Sequence, residues 1–396
     1  MAIELLSGVG YWENLMAAID AGCDSVYFGV KELNMRMGAK NFEMSELPKI
    51  VSICHENKVR AYLTVNTIVF DDELDKVRKI LTVAKEASMD AIICWDMGVV
   101  SIARELGHEI HLSTQASCAN SVSAEFYKNQ GISRIVFARE LSLDRIKALR
   151  EKTDIEIECF CHGALCISVS GRCFMSEYQY GKSANRGECL QTCRRAYRVT
   201  DIETGSELEL ENNYVLSPKD LCTIEIIDQM VDAGIDGFKI EGRNRPAEYV
   251  KTVTACYRQA IDAHNNGRYD DALKNELKER LSKVYNRGFT TGYYFNVPDF
   301  TDDYGSKSKN VKVFVGKIKN FYKAISVAEL KINTGTISVG DRILITGVTT
   351  GAFEQTVGSL QLNHKSIDAA EKGQPVALKV DKDVRINDKV FVIKKR

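Results

Sequence analysis

The chain has 396 residues with 44% hydrophobic and 27% charged side chains, which excludes a disordered protein and leaves room for two folded domains, three at most. Lys plus Arg number 53 against 54 Asp plus Glu, a formal charge of −1, so no general basic coat exists and any nucleic-acid contact needs a local patch. No run approaches the roughly 18 to 20 apolar residues that span a bilayer. The N-terminus also lacks a basic region leading into an apolar stretch, so a cytoplasmic chain without membrane partners is expected.

Residues 1–265 alternate short β-runs with amphipathic helices. The strands fall at 2–7, 24–28, 60–66, 90–94, 109–113, 134–137, 155–160 and 236–240. Helix ends recur as a small residue, an apolar residue and often Asp before the next strand, as in Gly22-Cys23-Asp24 and Gly234-Ile235-Asp236. Eight βα units in this length predict an α/β fold, a (β/α)8 TIM-type barrel. A doubly wound open sheet is the alternative, and no G-x-G-x-x-G follows the first strand to favour it. A cysteine-rich insertion over 160–222 interrupts the rhythm after the seventh strand and opens at the strand ends where barrel active sites lie. Residues 266–310 read as a helical and irregular connector. From 311 to 396 the pattern becomes period-2 strands (VKVFVGKIK, DRILITG, DKVFVIKK), which predicts a small all-β barrel.

Twelve cysteines in a reducing compartment are not disulfide material. Seven lie between 159 and 222, in the pattern Cys166-x6-Cys173-x15-Cys189-x3-Cys193 with Cys222 beyond. Soft thiolates on a Gly-rich loop suit an iron–sulfur cluster, a structural zinc, or redox-active thiols. Zinc prefers paired short knuckles, and only Cys189 and Cys193 form one, so wide spacing leans towards a larger guest. Cys23, Cys54, Cys94, Cys118 and Cys256 read as packing residues, as do Cys159 and Cys161.

At the strand C-termini stand Asn66, Gln115, Arg139, His162, Glu241 and Arg243, which a barrel gathers at one mouth. His162, Glu241 and Arg139 are the candidate catalytic groups. Arg36 and Asn41, in the loop after the second strand, join Gln115 and Arg243 as candidates for holding a small anionic ligand. The segment from Lys182 to Arg198 is basic and flanked by Tyr178 and Tyr180; Arg186, Arg194, Arg195 and Tyr197 are its candidate RNA contacts. A second lysine run, GSKSKNVKVFVGKIK, reads as a solvated face. Neither G-x-S-x-G nor H-E-x-x-H occurs, so residue chemistry gives a hydrolase little support.

The blocks ECFCHGALCISVSGRC, NRGECLQTCRR, SPKDLC and FKIEGR, with MGAKNF, STQAS and FARELSL, resemble the U32 peptidase (collagenase-like) family over residues 1–265. The tail resembles the second-domain β-barrel of translation factors. Despite the family label, the resemblance implies an oxygen-independent hydroxylation protein with a 4Fe-4S cluster, most like the branch that forms 5-hydroxyuridine at the tRNA wobble position with prephenate as cosubstrate. It implies Cys166, Cys173, Cys189 and Cys222 as cluster ligands, with Cys193 as substitute. It also implies a tRNA anticodon stem-loop as partner, and leaves a partner chain or homo-oligomer open. Peptidase activity, a zinc-stapled RNA-binding module, and hydroxylation of ribosomal RNA or a quinone are the alternatives. The chain has QTC where the family usually has QPC, and ELLSGVG where it usually has ELLAPAG.

Overall fold

The computed structural model describes residues 3–207, 213–303 and 305–396. Residue 2 of the first expected strand and residues 208–212 of the insertion lie outside these. Nine strands organise the N-terminal region: β1 (Glu4–Gly8), β2 (Ser25–Phe28), β3 (Arg60–Thr64), β4 (Ala91–Cys94), β5 (Ile110–Leu112), β6 (Arg134–Val136), β7 (Glu156–Ala164), β8 (Asp220–Cys222) and β9 (Gly237–Ile240). β1 to β7 pair in sequence order, all parallel, and β9 pairs with both β7 and β1. That closes an eight-stranded parallel barrel. β8 stands outside it, antiparallel on the far end of β7 through His162–Cys222 and Gly163–Leu221.

The strands are buried on both faces, as a barrel with an outer helical ring requires. The ring is α1 (Trp12–Asp20), α2 (Leu47–Glu56), α3 (Leu74–Glu86), α4 (Met97–Glu105), α5 (Ser121–Asn129) and α6 (Leu143–Arg150), continued after the insertion. α3 shows why: Val77, Ile80, Leu81 and Ala84 recur at three- and four-residue spacing and are buried, while charged residues occupy the other face. Asp96 and Asn120 cap α4 and α5 by accepting from the amides of Gly98 and Ser123. The insertion adds α7 (Met175–Tyr180); α8 (Ile227–Asp232), α9 (Ala247–Asn265) and α10 (Asp271–Ser282) complete the ring and begin the connector.

Inside the barrel, the lower layer is ionic. Arg134 Nη2 lies 2.7 Å from Glu4 Oε2, its Nη1 3.3 Å from Glu158 Oε2, and Lys239 Nζ 2.6 Å from Glu158 Oε1. Tyr62 donates to Glu4 at 2.7 Å. Such buried charges persist because each is paired and hydrogen-bonded.

Beyond β10 (Phe289–Thr290), the C-terminal region is antiparallel: β11 (Asn310–Tyr322), β12 (Val327–Ile332), β13 (Thr336–Ser338), β14 (Arg342–Gly347), β15 (Gly351–Thr356), β16 (Leu360–Leu362), β17 (Lys365–Ile367), β18 (Ala369–Glu371), β19 (Pro375–Lys379) and β20 (Lys389–Lys395). Eight of these run β15-β14-β20-β11-β12-β19-β16-β17, and β13 pairs with β18. They wrap a core of their own that includes Ile318, Leu330, Ile343, Leu378 and Val390. A small apolar seam, Leu344 and Ala352 against Ala17 and Ala247, joins this domain to α1 and α9. The lysine run at the junction is spent on ion pairs, Lys309 with Glu279 and Lys312 with Glu248. Among the described residues no helix is long and apolar enough to cross a membrane.

Candidate active site

A cavity of about 150 Å³ sits at the C-terminal ends of the barrel strands, under the insertion. It has room for several waters' worth of volume, more than one bare ion needs. Four cysteines of the insertion line it: Cys166, Cys173, Cys189 and Cys193. Three of them share one local device. The amides of Ser168, Met175 and Gln191, each two residues on, donate to Sγ of Cys166 (3.5 Å), Cys173 (3.3 Å) and Cys189 (3.4 Å). A neutral thiol is a poor acceptor, so repeated amide donation suits thiolates, and hydrogen bonds to sulfur are a lever on cluster potential. Burial pushes the Cys193 thiol up to about 11, opposed by the Arg194 guanidinium beside it. Among the described residues no three His, Cys, Asp or Glu side chains are arranged to hold a metal ion. The thiols surround a space; they do not converge on a point.

The insertion is tied down at several places. Glu140 accepts the Ser170 amide at 2.8 Å, Asn185 accepts the Cys173 amide at 3.0 Å, and Ser176 accepts the Leu190 amide at 3.0 Å. Gly187, within RGEC, has φ +90° and receives the Met37 amide at 3.1 Å. A Cβ there would lie 2.2 Å from the Asn34 carbonyl oxygen, so glycine alone allows the insertion to touch the loop after β2.

The opposite wall is rich in guanidinium groups. Arg36 Nη2 bonds Glu241 Oε2 at 3.1 Å, and Arg139 Nη2 lies 3.9 Å from the same oxygen while stacking 3.9 Å from the Phe160 ring. Burial raises the Glu241 carboxyl, but Arg36, Arg139 and Arg243 outweigh it and hold the group below its ordinary value. Arg243 donates to Asn34 and, at 3.2 Å, to Asn41; burial pushes its guanidinium down to about 10. Its Nε is buried with no partner. Gln115 and Asn66 complete the rim, and Lys239 forms part of the lining from below.

Several expectations are corrected. His162 does not face the cavity: its ring packs among Tyr249, Tyr257 and Phe289, and its Nδ1 lies 3.3 Å from Tyr257 Oη. Burial pushes it down to about 3, so it is neutral and structural. The cause is a bulge in β7. Glu158 and Phe160 point inward, and strict alternation would take His162 inward too, but the register against β9 shifts between Phe160 and His162. Cys222 does not join the four cavity thiols, for a related reason: it pairs with His162 from β8, outside the barrel, buried against Tyr257, and burial pushes its thiol up to about 12. Cys193 stands in the cavity where Cys222 does not. Asn41 is not in the lining; it grips Arg243 instead.

The basic segment is also thinner than it reads. Arg186 is committed to Glu73 and the Ile68 carbonyl and stacks on Phe70. Arg194 is half-buried and spends its guanidinium on Ser217, Pro218 and Leu165, so neither arginine is free for RNA. Tyr197 donates to the Thr192 carbonyl at 2.8 Å. Arg195 is exposed beside Tyr180, 5.0 Å from its ring. Exposed Phe174 and Tyr178, with ring centroids 5.8 Å apart, extend this rim. Sequence reading missed Lys239 and Glu158, whose signal was a charge at alternate positions inside otherwise apolar strands.

Residues 10–303 match the family model described as peptidase family U32. A protein named collagenase from Porphyromonas gingivalis is 42% identical over 407 residues, covering 99% of this chain and 98% of that one. The tRNA hydroxylation protein P1 of Bacillus subtilis is 32% identical, covering 96% of this chain and 92% of that protein. The 23S rRNA 5-hydroxycytidine C2501 synthase of Escherichia coli is 37% identical over 300 residues, which is 74% of this chain and 45% of that protein.

Proposed function

This chain belongs to peptidase family U32, and from that premise we propose that it is an RNA hydroxylation enzyme, acting on carbon 5 of the tRNA wobble uridine. The observation that carries the reading is the set of four cysteines, three of them supported by backbone amides, facing a wall of guanidinium groups across one cavity. Relatives named for tRNA and ribosomal RNA hydroxylation support the RNA class, and near full-length cover by the tRNA protein favours tRNA. The name of the 42%-identical relative favours a peptidase. Against that stands the chemistry of the lining, in which no His accompanies the thiols or the serines.

Cys166, Cys173, Cys189 and Cys193 would hold a 4Fe-4S cluster, whose thiolate ligands attach to separate irons and therefore need no common point. When bound, the cluster supplies one-electron chemistry. The remaining groups belong to the chain. Arg36 and Arg243 hold the carboxylate of a small cosubstrate such as prephenate. Glu241 anchors Arg36 at 3.1 Å with Arg139 at 3.9 Å from the same oxygen, and Gln115 offers a neutral amide at the rim. Phe174, Tyr178 and Tyr180 provide faces for unpaired bases, with Arg195 for phosphate.

The test is nucleoside mass spectrometry of tRNA from a strain lacking the gene. Loss of 5-hydroxyuridine, restored by the wild-type gene and not by Cys189→Ser, is the expected result. An unchanged level of the modified nucleoside overturns the tRNA assignment.

A further inference from the structure

The cavity lining includes an amine that the proposed chemistry leaves idle. Lys239 projects from β9 into the barrel and is 4% exposed. Its Nζ lies 2.6 Å from Glu158 Oε1, 4.2 Å from the centroid of the Tyr27 ring and 5.8 Å from that of Phe160. Both rings line the cavity, as Lys239 does. Glu158 is shared, because its other oxygen receives Arg134 at 3.3 Å. That carboxylate therefore keeps a cation when the lysine gives up its proton. Burial holds the Lys239 ammonium below its ordinary value, with Glu158 working in the opposite direction. A lysine so placed has the setting in which amines act as nucleophiles towards carbonyls.

The other half of the site is the guanidinium wall. Arg36, Arg139 and Arg243 face a single carboxylate, Glu241, which is near enough to Lys239 to act on its charge. Three forks and one carboxylate leave room for a planar anion.

We propose that the cavity takes a small 2-oxo acid, its carboxylate held by Arg36, Arg139 and Arg243 and its ketone carbon captured by Lys239 as an imine. Glu158 accepts a proton from the ammonium, and the freed nitrogen pair forms the C–N bond as the carbonyl π bond breaks towards oxygen. The carbinolamine oxygen, formed as an alkoxide, takes one proton from nitrogen to become a hydroxyl and the other from Glu158, and leaves as water. The products are one protonated imine and one water from one ammonium and one ketone, with no oxidant or reductant consumed. The protonated imine draws electrons from the neighbouring carbon, and hydrolysis reverses the capture.

This inference rests on the proposed reading of the cavity as the site of a small carboxylate cosubstrate, prephenate being itself a 2-oxo acid, and adds to it the capture at Lys239. It is tested on the purified, anaerobically handled protein with pyruvate and cyanoborohydride, followed by peptide mass spectrometry. The expected outcome is N-carboxyethyl lysine at Lys239 in about tenfold excess over any surface lysine, because bound geometry raises the local carbonyl concentration. Acetone, which lacks the carboxylate, and the Arg139→Gln protein with pyruvate should each give about tenfold less at that residue. Modification scattered over surface lysines, or trapping by acetone equal to that by pyruvate, overturns the proposal. Neither RNA nor iron enters the readout, so this assay can fail while hydroxylation stands, and the converse.

Discussion

Cys193 and Cys222 belong to one segment, and their surroundings separate them. Cys193 lines the cavity with three other thiols; Cys222 is buried beside Tyr257 on a strand outside the barrel. Cys193→Ser should therefore cost most of the bound iron and acid-labile sulfide while leaving the melting temperature of the metal-free protein nearly unchanged. Cys222→Ser should do the reverse, keeping full iron content and losing about 1–3 kcal/mol of stability, since a hydroxyl replaces a thiol in an apolar setting. Iron analysis with thermal denaturation of both variants decides, and iron loss in Cys222→Ser alone would restore the ligand set implied by the resemblance. A similar contrast divides two adjacent arginines. Arg195→Glu should weaken tRNA binding and reduce the slope of log affinity against log salt by about 1, as loss of one phosphate contact does. Arg194→Gln should instead loosen the fold near Pro218 and leave that slope unchanged, because its guanidinium is already bonded to Ser217, Pro218 and Leu165.

At the scale of elements, the insertion works because it can touch the loop after β2. Gly187→Ala forces a side chain into φ +90° and to within 2.2 Å of the Asn34 oxygen. Left-handed strain of roughly 1–2 kcal/mol plus the clash should displace the RGEC turn. The expected result is loss of cluster absorbance with the barrel's far-ultraviolet circular dichroism intact; retained absorbance would show that the contact is dispensable. The eight barrel strands were legible because each is a short apolar run between a helix end and a polar turn, a signal carried by local chemistry. Arg139, Glu241 and Arg243 were legible for the same reason, since a polar residue just past a barrel strand stands beside the mouth. What was not legible depended on register. One extra residue at Cys161 turns His162 from the lumen to α9, and no residue type in HGA announces it. β8 pairs antiparallel across an insertion of some fifty residues, so the position of Cys222 follows from a long-range contact that periodicity does not contain.

For the whole molecule, two cores of different character sit side by side. The barrel encloses charge. Burial by itself would raise the Glu4 carboxyl, but Arg134, Ser25 and Tyr62 more than reverse this and hold it at about 2. A carboxyl lowered from 4.5 contributes stability that is fully present above pH 4.5 and disappears as pH falls towards 2. The shift corresponds to roughly 3 kcal/mol, and Glu158 and Glu241 are lowered in the same sense. Urea midpoints measured from about pH 5 down to about pH 2.5 should fall steeply for the wild type and more gently for Glu4→Gln; parallel slopes would mean that the Arg134 network does not govern acid stability.

The β-domain is different: its buried carboxylate, Asp388, is held by the Thr350 hydroxyl and the Arg385 amide and not by a guanidinium. Its core is aliphatic with Phe353, drawn entirely from residues 315–392, and the strands that carry it pair with one another rather than with the barrel. Its attachment is a seam of four buried small or aliphatic side chains flanked by Phe391 and Ile393, with Lys382 on Asp20 and Lys312 on Glu248 at the margin and Lys251 donating to the Ala352 carbonyl at 2.7 Å. Exposed ion pairs of this kind contribute little, about 0–1 kcal/mol each. A domain whose core is complete and whose seam is small does not need its neighbour in order to fold. Residues 309–396 expressed alone should therefore give dispersed amide resonances and one cooperative thermal transition. A collapsed spectrum without a transition would show that α1 and α9 supply part of its core, through Ala17 and Ala247, and that the two regions fold as one unit.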